Sequence, residues 1–207
     1  MFVLYGVPGW GSAISEIMLT LAGEEYQFVN VEGFDKPGPQ REQVNALNPL
    51  CQIPVLKTAH GEIVTETAAL ALLLLDRCPD LAPDIGTPAR LRFQRLLIWL
   101  NANIYPSFSF SDHPDRWLDG EAPQQQLRER VDSHRNTLYQ WLESQLTAGE
   151  WTCGERMTLL DAYWPVMVRW RPGEAWFIAS TPKLYDIVQR MRALPGLGGV
   201  LARNDLL

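Results

Sequence analysis

Cysteine is scarce in this chain, and Cys51, Cys78 and Cys153 show no pairing pattern. They have no C-x-x-C spacing and no cluster of histidines beside them, so the sequence contains neither a disulfide framework nor a zinc site. We therefore expect no metal. An odd number of thiols without a framework is typical of a reducing compartment, and we expect a cytoplasmic protein.

Basic residues are also in short supply. The 207 residues include 18 Lys and Arg against 24 Asp and Glu, which gives a formal net charge of −6. That sign argues against nucleic acid or an anionic membrane as the main partner, because both need a basic surface. The apolar run at residues 68–75 is too short to cross a bilayer. No basic leader precedes the first strand, so we expect no signal peptide and no membrane partner.

The first part of the chain alternates between strand-like and helix-like segments. FVLY (2–5) and YQFVNV (26–31) are typical of strands, and apolar residues recur at helical spacing between them. PVLKT (54–58) and EIVT (62–65) flank a turn short enough for an antiparallel hairpin, and a helix follows over Glu66–Cys78. The predicted order is βαβ, an irregular stretch without a clean helix, then ββα.

The second part of the chain contains only helical patterns. Residues 79–88 carry three prolines and a glycine, and predict a linker. Helical stripes follow within residues 93–104, 127–142, 159–170 and 182–194. The sequence therefore predicts an α/β domain over residues 1–78 and an all-helical domain over residues 89–207.

Two stretches carry a resemblance to a known family. NPLCQIPVLKTAHGEIVTETAAL (48–70) resembles the glutathione transferase pattern Asn-Pro-x-Gly-x-Val-Pro-x-Leu, a hairpin turn, then Glu-Ser-x-Ala-Ile. GERMTLLDAY (154–163) is similar to the family's Gly-x-x-x-Ser/Thr-x-x-Asp box, which we interpret as a structural capping box. The resemblance runs from Tyr5 to about Leu194. It implies a thioredoxin-like N-terminal domain (βαβ-ββα) followed by an all-α domain.

The resemblance implies that glutathione is the co-substrate. Ile53-Pro54 stands where such folds have a cis peptide bond, and the main chain there would pair with the extended peptide. Thr67, at a helix N-terminus, would bind the γ-glutamyl carboxylate, and Glu66 would meet the adjacent ammonium group. The alternative is that Thr65 or Thr67 only caps the helix.

Ser12 is the predicted catalytic residue. Some bacterial glutathione transferases have a catalytic cysteine near the start of the first helix. Alignment on Pro8-Gly9 places that cysteine on Gly11, with Ser12 next to it. The Ser12 hydroxyl and the helix N-terminus would stabilise the glutathione thiolate without a general base. The alternatives are that Ser12 is a plain N-cap, or that Tyr5 or the backbone N–H groups of residues 11–13 stabilise the thiolate.

The resemblance implies further contacts at both ends of the site. Lys36 would reach the glycyl carboxylate, or would be a solvated loop lysine. The predicted electrophile pocket is aromatic and contains Trp10, Tyr105, Phe108 and His113, which would otherwise belong to the core. Cys51 replaces the family's usual glycine. It is either a small buried hydrophobe or a redox-active thiol.

The function that the resemblance implies is the transfer of glutathione to small, largely apolar electrophiles, by a homodimer. Three other reactions would use the same ligand: isomerisation, dehalogenation and disulfide reduction. The Ser-Ser-Cys opening of the family's isomerase type is absent from this chain, which argues against isomerisation. A non-catalytic interaction module is the alternative from another class.

Overall fold

The first part of the chain folds around a four-stranded mixed sheet. The computed structural model describes residues 1–207. The strands are β1 (Phe2–Gly6), β2 (Tyr26–Asn30), β3 (Val55–Lys57) and β4 (Ile63–Val64), in the spatial order β2-β1-β3-β4. β1 is parallel to β2 and antiparallel to β3, and β3 and β4 form an antiparallel hairpin. The predicted βαβ unit and hairpin are therefore confirmed.

Three helices accompany this sheet: α1 (Ser12–Leu21), α2 (Pro39–Leu47) and α3 (Thr67–Arg77). The prediction of an irregular stretch between β2 and β3 is wrong, because α2 lies there. Val44 is the one buried residue of α2, so no apolar stripe marks this helix in the sequence. Its start is set instead by Pro39, whose missing N–H costs nothing in a first turn.

The second part of the chain is helical, as predicted. Its helices are α4 (Pro88–Trp99), α5 (Tyr105–Asp112), α6 (Glu121–Ser144), α7 (Trp164–Met167), α8 (Glu174–Ser180), α9 (Pro182–Arg192) and α10 (Gly198–Arg203). Its one β-type pairing is an isolated bridge between Trp151 and Gly154. No helix of the protein combines the length and the apolarity needed to span a membrane. We refer to β1 through α3 as the sheet part and to α4 through α10 as the helical part.

A π-helical turn at Leu100–Ile104 joins α4 to α5 without a break. Within it the Tyr105 N–H donates to the carbonyl of Leu100, five residues back. Pro106 follows directly, and its missing N–H and bulky ring disfavour a regular α-helix here. The chain therefore passes through a widened turn and stays helical to Asp112. Single π turns of this kind are frequent at functional sites.

One hydrophobic core of 39 buried residues runs through both parts. It includes Leu4 of β1, Ile14 of α1, Leu70 of α3 and Phe93 of α4. Helix α1 lies between the sheet and the helical part, so every residue from Ser12 to Leu19 is buried. The sequence predicts only one buried face for α1, because its polar residues look like a solvated side.

The charged group that is buried with α1 is the carboxylate of Glu16, which has no exposed surface. It accepts hydrogen bonds from the guanidinium of Arg203, from Nδ2 of Asn204 at 2.8 Å and from the hydroxyl of Tyr26 at 3.1 Å. Buried charges persist when they are paired and hydrogen-bonded. The C-terminal helix α10 is thereby fixed to α1.

The capping box in the helical part is structural, as predicted. The carboxylate of Asp161 accepts hydrogen bonds from the Thr158 N–H at 2.8 Å and from the Thr152 N–H at 3.0 Å. Burial raises the pKa of Asp161, and these hydrogen bonds oppose the rise. Thr158 and Asp161 satisfy the N–H groups that begin the turn at Leu159–Tyr163.

We expect Arg203→Met to lower the free energy of unfolding by about 1.5–3 kcal/mol, because it leaves the buried Glu16 carboxylate without its cation. The matched control is Arg77→Met, which breaks the exposed ion pair with Glu24 and should change the stability little, because water screens exposed ion pairs. Urea unfolding of the three proteins measures the difference. Equal losses in the two variants would contradict the structural role of the Glu16 network.

Candidate active site

One cavity of about 710 Å³ lies between the sheet part and the helical part. The sheet part contributes the turn before α1, the Ile53-Pro54 segment and the start of α3. The helical part contributes α5 and the segment around Trp170. All of the predicted site residues except Ser12 and Lys36 line this cavity: Trp10, Ile53, Pro54, Glu66, Thr67, Tyr105, Phe108 and His113.

The start of α3 presents unpaired N–H groups to the cavity. Thr67 is buried, and no side chain caps the helix. The first backbone N–H of this helix with a partner is that of Leu70, which donates to the carbonyl of Glu66. Glu66 has a φ of 65°, a left-handed conformation that is strained for a side chain of this size. The cap-only alternative for Thr65 and Thr67 is therefore not what the structure shows.

The Ile53-Pro54 segment offers an extended backbone on a neighbouring wall. The peptide bond between the two residues is cis, as predicted. Neither the N–H nor the C=O of Ile53 has a hydrogen-bond partner in the protein. An extended peptide could pair with both groups as a short added strand would.

The turn before α1 is held in place by the helical part. Asn204 accepts a hydrogen bond from the Gly9 N–H at 2.9 Å, and Nε1 of Trp170 donates to the Gly9 carbonyl at 3.0 Å. The same Asn204 side chain donates to the buried Glu16 carboxylate. In the turn itself, the N–H groups of Gly11 and Ser12 have no partner, whereas that of Ala13 donates to the Trp10 carbonyl.

Aromatic rings form the wall on the helical side. Phe108 contacts Trp170 with ring centroids 4.9 Å apart, and the buried guanidinium of Arg135 lies 4.1 Å from the Phe108 centroid. Trp10 lies on the opposite side of the cavity. Its ring packs edge-on against that of Phe34, with the ring centroids 5.8 Å apart. The cavity thus combines a polar strip on the sheet side with an aromatic wall on the helical side, which suits a peptide beside an apolar molecule.

Known proteins match this chain over its full length. The uncharacterized GST-like protein YncG of Escherichia coli K12 is 52% identical over 207 residues, which is 100% of both chains. The chain belongs to the glutathione S-transferase family. Residues 14–77 match the description of the glutathione S-transferase N-terminal domain. The glutathione S-transferase GstA of Escherichia coli O157:H7 is 25% identical over 206 residues and 98% of each chain.

The fold is also that of solved members of the glutathione S-transferase family. The crystal structure of a glutathione transferase homologue from Sulfitobacter, with bound glutathione, superposes with a TM-score of 0.86. The two sequences are 25% identical, and the superposition covers 100% of this chain and 99% of the Sulfitobacter chain. The thioredoxin-like sheet part and the all-α part expected from the sequence are thereby confirmed.

Ser12 does not reach the cavity of this family member. Its side chain is fully buried, and its hydroxyl donates to the Val7 carbonyl and accepts from the Val7 N–H, both at 3.0 Å. Gly6, at the end of β1, leaves room for the Ser12 side chain, because a β-carbon at position 6 would overlap it. The N-cap of α1 is Gly11. The thiolate-binding prediction for Ser12 and its N-cap alternative are both wrong: Ser12 closes the turn.

Two other side chains proposed for the site also lie outside the cavity. Lys36 is exposed and does not line it, while Arg41 of α2 does. Tyr5 packs against a small apolar cluster of the sheet part and does not line it either. Cys51 does line the cavity, with a φ of 49°. That left-handed backbone accounts for the glycine that the family usually has there.

Sequence reasoning missed Arg41, Asn101 and Trp170, which also line the cavity. Asn101 donates to the Leu97 carbonyl and to the Tyr163 hydroxyl at 2.9 Å. No sequence signal marks Trp170, because its contact with Gly9 joins residues far apart in the chain. Arg41 carries no such signal either, because α2 has one buried residue and no apolar stripe to show which of its faces meets the cavity.

We expect Ser12→Ala to lower the free energy of unfolding by about 1–3 kcal/mol, because it leaves the buried N–H of Val7 without a partner. Ser15→Ala is the matched control: Ser15 is equally buried in the same helix, but its hydroxyl has no partner. That variant should be neutral or slightly more stable. Thermal unfolding of both variants tests the assignment, and a stable Ser12→Ala protein would contradict it.

Proposed function

We propose that this protein is a glutathione transferase that joins the glutathione thiolate to small, largely apolar electrophiles. The observation that carries the proposal is the single cavity in which unpaired peptide-binding groups face an aromatic wall. Members of the family with bound glutathione share the fold. The cavity volume is also in the range of small-molecule sites.

The γ-glutamyl end of glutathione would bind at the start of α3. A carboxylate there would accept hydrogen bonds from the unpaired N–H groups of the first turn and from the Thr67 hydroxyl, at the positive end of the helix dipole. The exposed carboxylate of Glu66 would pair with the neighbouring ammonium group. This arrangement matches the charge pattern of an amino-acid head group, which carries both signs on one carbon.

The rest of the peptide would lie along the sheet part. The cysteinyl unit would pair with the N–H and C=O of Ile53, which have no partner within the protein. The glycyl carboxylate would meet Arg41, which replaces Lys36 as the candidate cation. Glutathione would then direct its sulfur toward the turn before α1, with the space between the aromatic wall at Phe108 and the ring of Trp10 left for the electrophile.

The reaction needs few protein groups. The thiol loses its proton to water, and the sulfur forms a bond to an electrophilic carbon. The bond from that carbon to its leaving group breaks, and the group departs with the electron pair. A cysteine thiol of pKa near 8.5 is only a few per cent ionised at pH 7. The protein must therefore favour the thiolate and hold the two reactants together.

We expect the wild-type protein to bind glutathione in calorimetry and to conjugate it to aryl halides. Arg41→Met should weaken glutathione binding about ten- to a hundredfold, because it removes a charge-assisted hydrogen bond to a carboxylate. Lys36→Met is the matched control, with the same charge change a few residues away but outside the cavity, and should leave the affinity unchanged.

Each outcome of this experiment has a distinct meaning. No binding to wild type would overturn the proposed function. Binding without conjugation of any electrophile would favour an interaction module or another glutathione-dependent reaction. Equal losses in Arg41→Met and Lys36→Met would mean that the glycyl end lies elsewhere.

We also propose a homodimer, as the family resemblance implies. Apolar side chains on the outer faces of α3 and α4 support it, since Leu72 is 45% exposed, Leu91 68% and Ile98 57%. Multi-angle light scattering should give a mass twice the 23.5 kDa of one chain. A mass of one chain across the micromolar range would contradict the proposal.

A further inference from the structure

The Tyr105 hydroxyl is a buried polar group without a use inside the protein. Its oxygen is shielded from solvent, yet it has no hydrogen-bond partner. The ring lines the cavity. The Thr67 side chain lies near enough to lower the pKa of the hydroxyl as a hydrogen bond would, but no contact between the two meets hydrogen-bond geometry. A buried donor without a partner costs free energy. The cost is understandable if a ligand supplies the missing partner.

The position of this hydroxyl is defined by Gly11. A β-carbon at position 11 would overlap the Tyr105 oxygen and would lie 3.2 Å from its ring carbon Cζ. Only a residue without a side chain leaves room for the hydroxyl at the N-terminus of α1. The same turn contains the unpaired N–H groups of Gly11 and Ser12. The Tyr105 O–H and the Gly11 N–H therefore belong to one small region of the cavity.

Several contacts keep the ring in this place. Tyr105 directly follows the π turn, and its N–H donates to the carbonyl of Leu100. The ring packs edge-on against Tyr163, with centroids 6.4 Å apart, and against Trp170, with centroids 5.9 Å apart. Trp170 in turn donates to the Gly9 carbonyl. The tyrosine and the glycine turn are therefore positioned by one shared residue.

We propose that Tyr105, from the helical part, is the catalytic residue that donates a hydrogen bond to the glutathione thiolate across Gly11. This inference rests on the proposed function and assigns to Tyr105 a role that differs from lining the electrophile pocket. The thiol proton leaves to water, and Tyr105 keeps its own proton throughout. A charge-assisted hydrogen bond stabilises the thiolate relative to the thiol.

The protonation state of Tyr105 suits a hydrogen-bond donor and not a general base. Burial raises the pKa of its hydroxyl well above the ordinary value, Thr67 opposes this rise, and the charge of Glu66 adds to it. The hydroxyl therefore stays protonated over the whole pH range in which the thiol ionises. A tyrosine that cannot ionise remains available to donate to sulfur.

The test compares Tyr105→Phe with Tyr139→Phe. Each variant removes one buried hydroxyl oxygen that has no partner, so neither fold loses a hydrogen bond. Tyr139 does not line the cavity. The pKa of bound glutathione is read from the ultraviolet absorbance of the thiolate during a pH titration. All other charged groups of the cavity are identical in the proteins and cancel in the comparison.

We expect Tyr105→Phe to raise the pKa of the bound thiol by about one to two units. Turnover at pH 7 should fall about ten- to a hundredfold and recover in part at pH 9, where the thiol ionises unaided. The affinity for glutathione should change little, since the peptide and carboxylate contacts remain. Tyr139→Phe should match wild type in every measurement.

A second variant, on the opposite wall of the cavity, blocks the position of the same hydroxyl. Gly11→Ala places a β-carbon on the Tyr105 oxygen, so it should raise the thiol pKa as Tyr105→Phe does. In the Tyr105→Phe background, Gly11→Ala should add no further shift, because the hydroxyl is already gone. Such non-additivity is expected only if both changes act on one group.

The outcomes separate the two proposals. Wild-type protein that does not bind glutathione overturns the proposed function and this inference with it. Glutathione that binds with the same thiol pKa in wild type and Tyr105→Phe overturns the role of Tyr105 alone. The unpaired N–H groups of the turn would then be the stabilising donors.

Discussion

The buried carboxylate of Glu16 is the group on which the arrangement of the site depends. It lies in α1, where the sheet part and the helical part meet, and it is satisfied by Arg203 and Asn204 from the last helix. Asn204 links this network to the turn before α1, because its side-chain oxygen Oδ1 accepts a hydrogen bond from the Gly9 N–H. A charge buried at the junction thus fixes the turn that opens the cavity.

The two parts of the chain contribute different chemistry to the site. The sheet part supplies main-chain groups and a helix N-terminus, which recognise a peptide and its carboxylate without reference to any second substrate. The helical part supplies aromatic surface and, in our proposal, the hydroxyl that acts on sulfur. Gly11 is where the two contributions meet, since its missing side chain admits Tyr105 from across the cavity.

The sequence predicted those features that depend on local motifs. The cis bond at Pro54 and the uncapped start of α3 at Thr67 follow from the family resemblance that one short stretch carries through its hairpin and helix. The direction in which a side chain points cannot be predicted from such a motif. Ser12 stands next to the right position, but Gly6 leaves space on the far side of the turn, and the hydroxyl bonds to Val7. Periodicity carries no information about such a choice.

Other features were out of reach because they depend on contacts between distant residues. Glu16 looks like a solvated residue until the helical part is placed over α1. Helix α2 lacks an apolar stripe, so Arg41 could not be chosen over Lys36 by pattern. The role of Tyr105 requires both the π turn before Pro106 and the glycine on the opposite wall. Each is ordinary in sequence and meaningful only in combination.

A crystal structure of the protein with glutathione is the most direct test of the account. We expect the γ-glutamyl carboxylate at the start of α3 and the cysteinyl unit paired with Ile53. The sulfur should lie within hydrogen-bonding distance of the Tyr105 hydroxyl and beside Gly11. Glutathione bound outside this cavity, or with its sulfur directed away from both residues, would contradict the account.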